Sequence, residues 1–94
     1  MDIYPAELVV GLKGRDKGRY FAVMELIDKD FVLICDGKKR KTDKPKKKKI
    51  KHIKSLGFIL DSLKEKLETN VKISNSDVRK SIRTAMGSYE ISKD

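Results

Sequence analysis

The chain has 94 residues, 39% of them charged and 38% hydrophobic, and a formal net charge of +9. This length allows one small domain with a modest core and excludes a second domain with a core of its own. A single cysteine excludes an internal disulfide, and the apolar stretches are too short to span a bilayer. We therefore expect a cytoplasmic domain whose partner is a polyanion, either nucleic acid or an anionic membrane surface.

The positive charge is concentrated in one internal segment. Residues 38–54 hold eleven Lys or Arg and one acid, Asp43, which gives this segment a net charge of +10. Because the whole chain carries +9, all other residues together sum to −1. Lysine dominates the segment, and this favours point-charge contact with phosphates over bidentate reading of base edges.

Five short strands are predicted in the first half of the chain from apolar alternation and β-forming residues. Glycines at both ends of the Gly14–Gly18 loop indicate a tight reversal between the first two strands. Asp36-Gly37 predicts a hairpin turn, so that the basic residues after it form the return strand at a sheet edge. The predicted strands are Leu8–Lys13, Tyr20–Ile27, Phe31–Cys35, Lys38–Thr42 and Ile50–Ser55.

Short strands joined by tight turns favour a small five-stranded barrel, since closure removes exposed edges. The second and third strands are apolar on both faces, whereas the outside of an isolated barrel should be polar. Something else in the chain must therefore cover one outer face. The fold class predicted is mainly β with C-terminal α, a barrel over residues 1–56 and a helical extension over 57–94 within the same folded unit.

Two helices are predicted as that cover. The first, Phe58–Glu68, carries a helical stripe of apolar residues. The second begins at a capping box formed by Ser74 and Asp77 and ends at Gly87. The remaining residues, 88–94, are expected to form a loose tail.

The candidate binding residues are the basic side chains of the Gly14–Gly18 loop and of the lysine-rich segment. A charged loop on a rigid scaffold is a common position for a binding function. Tyr20 and Phe21 either stack on bases or pack in the core, and Arg79, Lys80 and Arg83 either widen the binding surface or form a solvated helix face. The predicted phosphate contacts are Arg15, Lys17, Arg19, Lys38, Lys39, Arg40, Lys41, Lys44, Lys46, Lys47, Lys48, Lys49, Lys51, His52 and Lys54.

The sequence does not favour catalysis. His52 is the only histidine, and a metal site would need a second His or Cys at ligand spacing. The glycines of the first loop do not form a phosphate-cradling nucleotide loop, because Gly18 opens a strand rather than a helix. We expect no catalytic residue, metal, cofactor or small-molecule substrate.

Residues 9–27 resemble a KOW motif, the strand–loop–strand unit of SH3-like barrels in ribosomal proteins and transcription elongation factors. The order Gly14-Arg15-Asp16-Lys17-Gly18-Arg19, Phe31-Val32-Leu33-Ile34, Asp36-Gly37 and Lys51-His52-Ile53 is similar to the archaeal and eukaryotic large-subunit ribosomal protein fourteen family. It is closer still to the short bacterial KOW-domain RNA-binding proteins. The resemblance covers roughly residues 6–56, and implies an SH3-like barrel that contacts ribosomal RNA through Arg15, Lys17, Arg19, Lys51 and His52.

The sequence therefore predicts a monomeric RNA-binding protein that is ribosomal-protein-like or ribosome-associated. A different class of function stays open: a protein-interaction module that docks an acidic partner or the transcription or translation machinery. Peripheral attachment to an anionic membrane is disfavoured, because the amphipathic or lipid signal that stable attachment requires is not recognisable.

Overall fold

The computed structural model describes residues 3–93, and the side chains of residues 3–87. Five strands form one antiparallel sheet in the order β4-β3-β2-β1-β5, so β4 and β5 are its edges. Two α-helices follow, and two short 3-10 turns, Gly14–Asp16 and Ile50–His52, interrupt the strands. The elements are β1 Glu7–Gly11, β2 Tyr20–Leu26, β3 Phe31–Cys35, β4 Lys46–Lys49, β5 Ile53–Ile59, α1 Asp61–Glu68 and α2 Asn75–Lys93.

The sheet buries apolar side chains on both faces, because successive residues of a strand point to opposite sides. Leu8 belongs to the cluster on one face and Val9 to the cluster on the other, and neither is exposed. Phe21 joins the cluster of Val9, whereas Cys35 joins that of Leu8. The predicted two-sided apolar strands are confirmed, and Cys35 is a buried hydrophobe as its apolar neighbours indicate.

The two helices cover the face that carries Leu8. Leu60 and Leu63 from the first helical segment are buried in this cluster, together with Ile73 and Val78. The expectation that the C-terminal part covers one face of the sheet is therefore confirmed. Among the described residues no helix is both long enough and apolar enough to cross a membrane.

The fourth strand is not where the sequence indicated. Residues 38–42 are not a strand, and Lys46–Lys49 pairs with β3 instead, from Phe31 opposite Lys49 to Ile34 opposite Lys46. The Asp36 carboxylate accepts hydrogen bonds from the backbone N–H groups of Lys38 and Arg40 (2.8 and 3.0 Å), which curls the chain into a turn. These hydrogen bonds from backbone to side chain take the place of the strand-to-strand hydrogen bonds that the predicted hairpin requires.

The boundary between the last strand and the first helix is also shifted. Ile50–His52 is a 3-10 turn, and β5 runs on to Ile59, which pairs with Glu7 at the start of β1. Phe58 and Ile59 are therefore strand residues, and the helix begins only at Asp61. Ile59 belongs to the helical pattern of apolar residues in the sequence, but its pairing with β1 makes it a strand residue. The sheet therefore extends beyond residue 56, the predicted end of the barrel.

The start of α2 is confirmed and its end is not. The backbone N–H of Asp77 donates to Ser74 Oγ (3.0 Å), and the N–H of Ser74 donates to the Asp77 carboxylate (2.9 Å), which is the reciprocal pattern of a capping box. The helix passes through Gly87 and continues to Lys93. Residues 88–93 are thus helical rather than a loose tail, and Asp94 lies outside the described residues.

Candidate nucleic-acid interface

The basic loop after β1 is held against its own strand. Gly14 and Gly18 have φ of +69° and +78°, as the predicted tight reversal requires. A Cβ atom at Gly11 would overlap the carbonyl oxygen of Asp16, so the loop can lie against β1 only because Gly11 has no side chain. Arg15 is left exposed at the tip. The loop is therefore packed against β1 and does not project freely into solvent.

Asp16 connects this loop to the lysine-rich segment. Asp16 is only 3% exposed. Its carboxylate lies 2.6 Å from Lys46 Nζ and 3.0 Å from Lys48 Nζ. Arg40 lies farther off, with a guanidinium nitrogen 3.9 Å from the other carboxylate oxygen. Lys48 also donates to the carbonyl oxygen of Lys13 (3.4 Å). One buried carboxylate therefore fixes β4 beside the loop.

Two opposing effects act on the pKa of Asp16. Burial acts to raise it, whereas the hydrogen bonds from Lys46 and Lys48 and the charges of these two lysines act to lower it. The lysines prevail, and the pKa lies below its ordinary value of 3.8. Asp16 is therefore ionised at neutral pH, and its ion pairs are intact there.

The turn between β3 and β4 is attached to helix α2. Arg79 Nη1 donates to the carbonyl oxygen of Gly37 (2.6 Å), and Asn75 Oδ1 accepts from the backbone N–H of Thr42 (2.8 Å). Gly37 has φ of +75°, and a Cβ atom there would overlap the carbonyl oxygen of Asn75. Close approach of turn and helix therefore requires glycine at this position.

These attachments bring the arginines together. Two adjoining pockets, of about 160 and 360 Å³, share Arg19 and Asp36 on their walls. The chain contains five arginines, and all five line these pockets, although they come from the loop, the turn and helix α2. We refer to this region as the arginine surface, and its basic residues are Arg15, Arg19, Lys38, Lys39, Arg40, Arg79 and Arg83.

Three of these guanidinium groups are available to a ligand. Among the residues that the structure describes, the side chains of Arg15, Arg19 and Arg83 have no hydrogen-bond or ion-pair partner. Arg40, by contrast, is ion-paired with Asp16, and Arg79 donates a hydrogen bond to Gly37. The two carboxylates on the walls are also occupied. Asp16 is ion-paired, and Asp36 accepts from backbone N–H groups. The surface therefore presents uncompensated positive charge.

The four lysines of β4 point alternately to the two sides of the sheet. Lys46 and Lys48 point toward Asp16 and are ion-paired with it; Lys48 is buried and Lys46 is partly exposed. Lys47 and Lys49 are exposed. Lys47 Nζ lies 4.5 Å from the centroid of the Phe31 ring, within range of a cation–π contact.

The other predicted contacts lie on either side of β4. Lys17, Lys41 and Lys44 are exposed near the arginine surface end, and Lys51 and Lys54 are exposed beyond the opposite end. His52 lies between the last two. Its pKa is lowered, first by partial removal from water and then by the surrounding lysine charges, Lys51 foremost. His52 is consequently neutral at pH 7 and adds no positive charge.

The two aromatic residues after the loop have different positions. Phe21 is 1% exposed and belongs to the core, so it packs rather than stacks. Tyr20 is half-buried and forms part of the wall of the arginine surface beside Arg19. Of the two, only Tyr20 is positioned to meet a ligand.

The sequence alone does not decide whether Arg79 and Arg83 join the site, and it indicates no role for Asp16. The two arginines lie on the polar face of an amphipathic helix, where nothing distinguishes them from ordinary solvated residues. Their arrangement depends on the contact of α2 with the turn, which is tertiary. The sequence does contain one signal that points to them, the small number of arginines among many lysines.

No protein-family model matches this chain, and no curated protein sequence matches it significantly. We therefore infer the function from the geometry and charge of the site.

Proposed function

We propose that this chain is a non-catalytic RNA-binding protein whose arginine surface docks on the phosphates of folded RNA. The observation that carries the proposal is that all five arginines of a lysine-rich chain line two adjoining pockets. Guanidinium groups bind phosphate in a bidentate manner and remain charged at any physiological pH. Ribosomal RNA is the first candidate ligand, with the protein acting as a ribosomal-protein-like or ribosome-associated factor in the cytoplasm.

The fold supports the same interpretation. The proposed architecture is an SH3-like barrel of the KOW type, in which the five-stranded sheet curls so that its edges approach each other. Ile53 of β5 shares a core cluster with Val32 and Ile34 of β3, three strands away in the sheet. Lys48 of β4 reaches the carbonyl oxygen of Lys13, just beyond β1. Both contacts favour a strongly curved sheet.

The proposed mechanism is electrostatic docking with a fixed geometry. The loop, the turn and α2 are attached to one another through Asp16, Gly37 and Asn75, so the backbone of the site is already fixed and binding has to order side chains only. Helical RNA presents phosphates and 2′-hydroxyls rather than base edges, so we expect recognition of shape over sequence. The exposed lysines on either side of β4 add long-range attraction.

The test compares two double variants with equal charge change. Arg15→Gln with Arg19→Gln removes two of the three free guanidinium groups, whereas Lys64→Gln with Lys72→Gln removes two exposed charges elsewhere. Affinity for a structured ribosomal RNA fragment is measured by fluorescence anisotropy over a range of salt. With about six phosphates contacted, log K should fall against log salt with a slope of about −4 to −5.

We expect the arginine variant to reduce both the affinity and the salt slope, and the lysine variant to retain most of the affinity. Circular dichroism establishes that both variants are folded. A flat salt profile for the unmodified protein would contradict RNA binding altogether. Equal loss of affinity in the two variants would show that net charge, and not the arginine surface, is responsible.

A further inference from the structure

A second basic region lies at the other end of β4 and differs in chemistry from the arginine surface. It is an open groove of about 820 Å³. Leu12, Phe31, Ile50 and Ile53 form its apolar floor, and Leu12 is 43% exposed. The four lysines on its walls are Lys29, Lys49, Lys51 and Lys54. We call it the lysine groove.

The groove is built by backbone hydrogen bonds between three segments. The N–H of Ile50 donates to the carbonyl oxygen of Asp30 (2.8 Å), and the N–H of Leu12 donates to that of His52 (2.8 Å). Lys49 lies opposite Phe31 in the β3–β4 ladder. A groove held in this way is preformed, so that a ligand does not have to order it.

The wall charges define the ligand. The walls carry four lysines and a single carboxylate, that of Asp30, and this excess of positive charge attracts an anionic partner. The floor is mainly aliphatic and no arginine lines it, and its one aromatic ring already has the Lys47 ammonium 4.5 Å from its centroid. Nucleic-acid bases are bound by stacking on aromatic rings or guanidinium planes. An aliphatic floor instead fits aliphatic side chains.

We propose that the lysine groove binds an acidic peptide segment that carries aliphatic side chains, supplied by a protein partner. The aliphatic side chains of the segment contact Leu12 and Ile50, the accessible aliphatic residues of the floor, and the carboxylates of the segment meet the lysines of the walls. The four residues of β4 span only about 10 Å, so a protein partner in this groove would lie next to RNA on the arginine surface. The groove is a site separate from the one proposed for RNA.

The test uses nuclear magnetic resonance of the whole ¹⁵N-labelled chain with two synthetic peptides. Both are about ten residues long, or about 33 Å when extended, so either can cross the groove completely. In the first, leucines alternate with Glu and Asp; in the second, serines replace the leucines at the same charge. We expect the leucine peptide to shift the amides of Leu12, Phe31 and Ile53, and the serine peptide to bind at least about tenfold more weakly.

A charge-reversed pair of variants provides the control. Lys51→Glu with Lys54→Glu should abolish binding of the leucine peptide, whereas Lys64→Glu with Lys72→Glu, exposed residues of equal charge change, should preserve it. Equal affinity of the two peptides, or shifts centred on Arg19 and Arg83, would overturn the proposal. Displacement of the leucine peptide from the groove by single-stranded polyuridine would also overturn it, because the groove would then be a nucleic-acid site.

Discussion

The arginine surface and the lysine groove carry similar charge but are constructed differently. The arginine surface is assembled from a loop, a turn and a helix that are distant in sequence, and buried polar contacts hold it together. The lysine groove is built from segments adjoining β1, β3, β4 and β5, and its lysines other than Lys29 come from one short stretch. The charges of the first are brought together by tertiary contacts, whereas most charges of the second already adjoin one another in the sequence.

This difference shows why charge alone does not locate a binding site. The net charge of residues 38–54 is +10, yet two of its lysines are directed inward to Asp16 and others are distributed along β4 toward the groove. The arginines are fewer, but the fold brings them together. Replacements that disturb the contacts holding the arginine surface should therefore have larger effects than replacements in the groove.

The largest expected effect comes from the turn that α2 packs against. Replacing Gly37 by Ala places a Cβ atom against the carbonyl oxygen of Asn75 at a φ of +75°. Left-handed strain and overpacking together should cost about 3 kcal/mol of unfolding free energy. Urea unfolding followed by circular dichroism measures it. Gly87→Ala, in the open on the same helix, is the control and should be neutral or slightly stabilising. A cost at Gly37 below that of an exposed substitution would show that the turn and α2 are not in close contact.

Removal of the Asp16 carboxylate should have the next largest effect. Asp16→Asn leaves the Lys46 and Lys48 ammonium groups without their anionic partner, and Lys48 is buried. Breaking a buried ion pair on one side costs about 3 kcal/mol, less where a partner is partly exposed as Lys46 is. Urea unfolding at pH 7 gives the difference. Asp43→Asn, on an exposed residue of the turn, should change stability by less than about 0.5 kcal/mol. Equal values for the two variants would mean that Asp16 does not hold β4.

The same ion pairs predict a dependence on pH. Because the pKa of Asp16 in the folded state is below 3.8, its stabilising contribution is complete above that value and is lost as the pH falls through the folded pKa. The difference in unfolding free energy between the unmodified chain and Asp16→Asn should therefore be constant from pH 7 to about pH 4 and shrink below it. Asp77, whose pKa is lowered to about 2, is present in both proteins and cancels in the comparison. A difference that grows on acidification would contradict the assignment.

The sequence predicted those parts of the fold that local chemistry determines. Phe31–Cys35 and the capping box of Ser74 and Asp77 agree with the structure, because β-branched runs and reciprocal caps involve near neighbours. The position of the return strand could not be predicted, since the lysines before and after Pro45 have the same β-propensity. The residues before Pro45 are held in a turn instead, partly by the hydrogen bond from Thr42 to Asn75. Tertiary contacts of this kind are invisible to local patterns.

In the candidate site too, the residues set by local sequence are predictable and those set by tertiary contacts are not. The sequence predicts the loop arginines, Arg15 and Arg19, because the glycines around them indicate a rigid tip. It does not decide on Arg79 and Arg83, because their arrangement requires α2 to pack beside the turn. The internal role of Lys46 and Lys48 depends on Asp16, a residue some thirty positions away. The sequence gives the number of cationic side chains, but not which of them point to solvent and which point into the protein.

The smallest expected effect lies in the lysine groove and completes the comparison. Lys51 and Lys54 are exposed, and the described residues include no ion-pair partner for either. Replacing both by Ser should change the unfolding free energy by less than about 0.5 kcal/mol, because solvated charges on a surface contribute little to stability. Urea unfolding at low and at physiological salt measures this change, and relief of repulsion among the lysines should make the variant slightly more stable at low salt. A loss comparable with that of Asp16→Asn would show that the groove lysines hold the fold and are not free for a partner. The contrast between the two regions would then fail, since both would be structural.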